Sequence, residues 1–110
     1  MTEQDFEILV EDTLSQIKET LIIKGKEYRR NGNPFHNFSQ GAKKKGITRE
    51  RVLDGMMLKH EISIDDMVDD IDVGVLPSVY AVNEKFGDYL IYLILKKASI
   101  MDRINDEKII

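Results

Sequence analysis

The chain has 110 residues, carries a net charge of -4 from 16 Lys and Arg against 20 Asp and Glu, and contains no cysteine. Its length makes it one domain, 1–110, with a modest core, because a chain this short buries only about two thirds of the surface its unfolded form exposes. The acidic balance excludes a general duplex-binding surface, and the lack of cysteine excludes disulfides, a thiolate nucleophile and cysteine zinc sites.

The N-terminus, Met1-Thr-Glu-Gln-Asp-Phe6, is acidic and has no apolar run, so it reads as neither a secretory signal nor a transit peptide. Residues 3 to 30 carry Phe6, Leu9, Val10, Leu14, Ile17, Leu21 and Ile22 at three- and four-residue spacing, which predicts a first amphipathic helix, with Thr2 and Asp5 as a capping pair. Asn31-Gly-Asn-Pro34 then forces a turn, giving a loop over 31–37. Phe38 to Lys45 reads as a short helix stopped by Gly46, its three lysines solvated. Thr48 is the expected N-cap of a long helix over 49–72, ended by Gly74 and Pro77.

The last helix is expected over 78–105, with Val82, Phe86, Leu90, Leu93, Ile94, Met101 and Ile104 as its packing stripe. Tyr89, Ile91, Tyr92 and Leu95 lie around the axis and become candidates for a contact between copies. No segment alternates as a strand would, and Tyr89 to Leu95, the longest apolar stretch, is far short of the about 20 residues that a membrane span needs. The fold class is therefore all-α: a small helical bundle of three long helices plus a short one, expected to be a homo-oligomer without a membrane partner.

Three polar clusters interrupt this pattern. In the first, Lys24 offers a phosphate contact, Tyr28, Phe35 and Phe38 offer aromatic surface, and His36 and Asn37 offer groups able to read a base edge. In the second, Lys59, Ser63 and Asp66 share one helical face and His60 lies about 100° around it. Lys, Ser and protonated His can jointly hold a phosphate, and Asp66 can orient a cation or accept from a sugar. The third contains Glu84 and Asp88, two carboxylates four residues apart that would supply the protein oxygens if Mg²⁺ is used. Gly87 between them is costly inside a helix and suggests close approach of another backbone or a ligand.

Lys24-Gly-Lys-Glu-Tyr28, Pro34-Phe-His-Asn-Phe38, Gly55-Met-Met-Leu-Lys-His60 with Ser63 and Asp66, and Asn83 through Leu95 together resemble the nucleotide-modification-associated domain family, small all-helical proteins common in phages. The resemblance runs from Ile17 to Met101 and implies a helical fold with a nucleotide-related role. A more distant similarity is to the MazG-like all-α nucleoside triphosphate pyrophosphohydrolases. Here, however, Glu84 and Asp88 are one residue wider apart than that family's Glu-x-x-Asp, and Lys59-His-Glu-Ile-Ser63 replaces its first acidic pair.

The expected function is a phage-type nucleotide-binding protein of the host cytoplasm that sequesters a nucleotide or cyclic-nucleotide immune signal without turning it over. The alternatives are a Mg²⁺-dependent pyrophosphohydrolase or related phosphohydrolase, and a structural or partner-binding helical module. The pocket is expected where Lys59, His60 and Ser63 meet Tyr28 and the His36-Asn37-Phe38 loop, with Lys59 the main phosphate contact.

Overall fold

A computed structural model describes every residue except Lys24, Glu27, Tyr28 and Ile110, and no side chain from Glu107 onward. The chain is all-α. The helices are α1 (Glu3–Lys18), α2 (His36–Lys45), α3 (Arg49–Asp72) and α4 (Val79–Ile109), with short connections between α2 and α3 and between α3 and α4, and no strand occurs among the described residues. None of these helices is long and apolar enough to cross a membrane. The chain divides into two compact units, Met1–Pro34 and Phe35–Ile110.

In the first unit α1 opens on the expected capping box, in which Asp5 N–H donates to the Thr2 hydroxyl at 3.0 Å. It ends at Lys18 and not near residue 30, because the path widens into a π-helical turn over Glu19–Ile23. Thr20, Ile22 and Ile23 there are β-branched and crowd a regular helical turn. The Arg29 guanidinium donates to the Leu21 carbonyl, satisfying an acceptor left at the helix end. Asn31 and Gly32 both take positive φ, 55° and 71°, and Asn33 N–H donates to the Arg30 carbonyl at 3.0 Å. That is the turn chemistry for which Asn-Gly is suited.

In the second unit α2 starts at His36, two residues earlier than its composition suggested, and stops where Gly46 adopts φ 65°. A Cβ at Gly41 would sit 3.2 Å from Val52 Cγ1, so glycine lets α2 lie close on α3. Arg51 N–H donates to the Thr48 hydroxyl at 3.2 Å, the expected cap of α3, and Ala81 N–H donates to the Ser78 hydroxyl at 3.1 Å, which caps α4.

Between α3 and α4 the expected packing is rotated. Leu53 is fully buried and Met57 nearly so, on the face of α3 that also carries Glu50 and His60. The α4 side chains that bond to or stack on α3 include Tyr89, Tyr92, Lys96, Ser99 and Arg103, while Leu93 lines a cleft with Met57. The spacing of those five, three and four residues apart, makes a helical seam. Pairing runs antiparallel, from Glu50 with Ser99 and Arg103, through Asp54 with Lys96, to Glu61 with Tyr89. Tyr89 and Tyr92, candidates for a contact between copies, are thus used within the chain. Phe86, Leu93, Ile94, Met101 and Ile104, expected to pack inward, remain 40–46% exposed.

The strongest node of the seam joins the start of α3 to the last third of α4. Arg49 Nη2 donates to the Ser99 carbonyl and to Asp102, each at 2.9 Å, while its Nε reaches the Ser99 hydroxyl and lies 3.2 Å from Glu50. Ser99 is fully buried, and its hydroxyl donates to Glu50, which also receives Arg103. Beneath the guanidinium, the Phe35 ring centroid lies 4.5 Å from Arg49 Cζ, so a cation–π contact ties the start of α2 to the same node. Desolvation pushes the Glu50 carboxyl up. Hydrogen bonds from Ser99, Arg103 and Arg49, with the Arg103 charge, outweigh it and hold the group below its ordinary 4.5.

Arg49→Ala should destabilise the fold by about 2–3 kcal/mol, the scale of charged hydrogen bonds left unmade. Arg51→Ala removes an exposed ion pair to Asp54 and should stay within about 0.5 kcal/mol. Urea unfolding of the two variants measures the difference, and equal losses would deny the node its role. For Glu50, a depressed folded-state value means that its contribution is complete above the ordinary 4.5 and lost as pH falls through the folded value. Thermal midpoints between about pH 3 and pH 7 should therefore fall more steeply for the wild type than for Glu50→Gln, and parallel curves would contradict the assignment.

Candidate functional site

The groups singled out in the sequence are distributed over separate places. Lys24 and Tyr28 lie outside the described residues. His36 and Phe38 are half-buried and Asn37 is exposed, all in the first turn of α2. No hydrogen bond or ion pair among the described residues joins them to Lys59, His60 or Ser63. The preceding residue, Phe35, is held at Arg49, and ten residues of helix, about 15 Å of rise, separate Arg49 from Lys59.

Lys59 and Asp66 are exposed on α3. Ser63 is half-buried and donates its hydroxyl to the Lys59 carbonyl at 3.0 Å, so its proton is already committed to the helix backbone.

His60 belongs to the seam. Its ring stacks on Tyr92 with centroids 5.4 Å apart and planes inclined by 27°. Nδ1 is buried without a hydrogen-bond partner, and the Asp88 carboxylate stands 3.9 Å away. Leaving such an atom unpaired costs about 1–3 kcal/mol, so the stack and the surrounding helices hold the ring against a penalty.

Glu84 and Asp88 have different neighbours. Glu84 lies 3.9 Å from Lys85 Nζ, and its hydrogen bond with Tyr80 raises the phenol's pKa. Asp88 faces His60. Among the described residues no three His, Asp or Glu side chains gather as a metal site would require.

A concave feature of this unit lies beside the seam, one turn from His60. A cleft of about 510 Å³ is lined by Asp54, Gly55, Met57, Leu58, Glu61, Tyr89, Leu93 and Lys96. Lys96 Nζ contacts Asp54 at 2.5 Å, a bond that holds the Asp54 carboxyl below its ordinary 3.8. Across the cleft Tyr89 donates to Glu61 at 2.7 Å, a bond that raises the phenol's pKa and ties the side chain to α3. Gly55 leaves its Cβ position open, so a ligand can approach the α3 backbone there.

None of Asp54, Tyr89 and Lys96 was singled out as a ligand group from the sequence. The available signal was the series Tyr89, Tyr92, Lys96, Ser99, Arg103, which keeps helical spacing through an otherwise apolar segment. Comparison of the chain with protein-family models, with curated proteins and with solved structures finds no match.

Proposed function

We propose that this protein binds a nucleotide in the cleft between α3 and α4 and holds it without turning it over, as a phage-type protein that sequesters a host nucleotide or a cyclic-nucleotide signal would. One observation carries the reading: a single cleft of about 510 Å³ brings together an aromatic ring, an ammonium group and two carboxylates. Its volume lies within the range of about 300–1,000 Å³ typical of small-molecule sites. Tyr89 offers a face for a base, Lys96 a charge for phosphate, and Asp54 and Glu61 acceptors for ribose hydroxyls or an exocyclic amine.

Lys96 can serve a ligand although it is paired with Asp54. Both side chains are about a third exposed (35% each), and a solvent-facing ion pair contributes at most about 1 kcal/mol. A phosphate can therefore take the ammonium from Asp54 at small cost. The resemblance to nucleotide-associated phage proteins gives the same ligand class from the sequence side.

The test is to incubate the protein with a panel of nucleotides and cyclic nucleotides, with and without Mg²⁺, denature it, and analyse what is released. Intact nucleotide should be recovered. Converted nucleotide would replace this reading with the phosphohydrolase one, and no retained nucleotide would defeat both. In titrations with the retained nucleotide, Lys96→Met should weaken binding about ten- to hundredfold, whereas Lys43→Ala, in the solvated lysine run, should change it less than about twofold. A loss confined to Lys59→Ala would move the site to the exposed face of α3.

A further inference from the structure

α4 carries two helical seams: one is turned to α3, and the other stays largely exposed among the described residues, with Leu90 half-buried and Leu93 at the edge of the cleft. The first, Tyr89-Tyr92-Lys96-Ser99-Arg103, meets α3. The second is Phe86-Leu90-Leu93-Lys97-Ile100-Ile104, spaced four, three, four, three and four residues apart. Such alternation is the heptad pattern by which one helix packs its knobs into the holes of another. Phe86, Leu93, Ile100 and Ile104 are 40–45% exposed, and Ile94 and Met101 beside them are 42% and 46% exposed.

Side chains of that size leave on the order of 500 Å² of apolar surface on one face, the upper part of what a monomer ordinarily carries. With a polar rim, this approaches the roughly 800 Å² that each partner contributes to a standard interface.

We infer that this second seam is an interface with a second copy of the chain, in which two α4 helices pair antiparallel. Lys97 decides the direction. It occupies a seam position in an otherwise apolar series, and a parallel pair in register would set it against its own copy, with two like charges in an apolar contact. In the antiparallel pair with full overlap, Phe86 faces Ile104, Leu90 faces Ile100, and Lys97 lays its stem over Leu93 of the other copy while its ammonium reaches solvent. A polar residue at one seam position selects this arrangement over its alternatives at some cost in stability. The two α3–α4 hairpins then form a four-helix arrangement in which the polar seams lie within each copy and the apolar seam between them. The inference does not depend on nucleotide binding.

Because the chain has no cysteine, single-cysteine variants test the geometry cleanly. Phe86→Cys and Ile104→Cys chains, mixed and mildly oxidised, should give a cross-linked dimer containing one of each. Neither should link to itself, since the antiparallel pair separates each position from its own copy by about 27 Å of helix rise. Self-linking of Phe86→Cys would overturn the antiparallel direction, and no link in the mixture would overturn the interface.

Light scattering should give twice 12.7 kDa for the wild type. Ile100→Glu should raise the dimer dissociation constant at least about a hundredfold while helical circular dichroism is retained. A mass of 12.7 kDa at every concentration of wild type, as when the face is covered from within the chain, would also overturn the proposal.

Discussion

The arrangement of the second unit depends on one polar junction, the Arg49 guanidinium gripping the Ser99 backbone, the Ser99 hydroxyl and Asp102. Ser99 is fully buried, so its hydroxyl and carbonyl must find partners inside the protein. Arg49 and Glu50 supply them from the first turn of α3, with α4 turned so that Ser99 faces that turn. Once that contact is made, helical periodicity carries the same face along α4 and brings Lys96, Tyr92 and Tyr89 toward α3 in turn.

This orientation has a cost and a consequence. The cost is that α4 meets the buried Leu53 and Met57 of α3 with a face whose bonds run through charges, hydroxyls and tyrosines, with a net contribution per bond of about 0.5–1.5 kcal/mol. The consequence is that the cleft beside the seam is lined by functional groups, and that α4 presents its apolar heptad outward. A polar inner seam and an apolar outer one are the arrangement that the proposed ligand binding within each copy and the proposed pairing of two copies would use.

Much of the fold was legible because it rests on local chemistry. The α3 boundaries follow from Thr48 and the Gly74 stop, and the 31–34 turn follows from Asn-Gly. The α1 boundary was not legible, since Glu19–Ile23 keeps an apolar spacing that suits an α-helix while its β-branched residues widen the turn. The facing of α4 was missed for a different reason. A hydrophobic stripe marks the side that avoids water but not which partner removes it, and Ser99 buried against Arg49 is a pairing between positions 50 residues apart that no periodicity reveals. For the candidate site, His60 was visible as an imidazole in a helical segment, yet its partner Tyr92 came from the set read as outward-facing. Lys59 and Ser63 lie on the face read from their spacing, but Ser63 spends its proton on its own helix.

Isotope-edited NOE spectroscopy, set to select contacts within one chain, tests the central claim most directly. Contacts between the His60 and Tyr92 rings, together with contacts from Ser99 to the Arg49 side chain, are the predicted result, with none from Phe86 or Ile100 to Leu53 or Met57. Contacts of Phe86 and Ile100 with Leu53 and Met57 in the same chain, with Tyr92 and Ser99 in solvent, would contradict it, because α4 would then turn its apolar stripe inward.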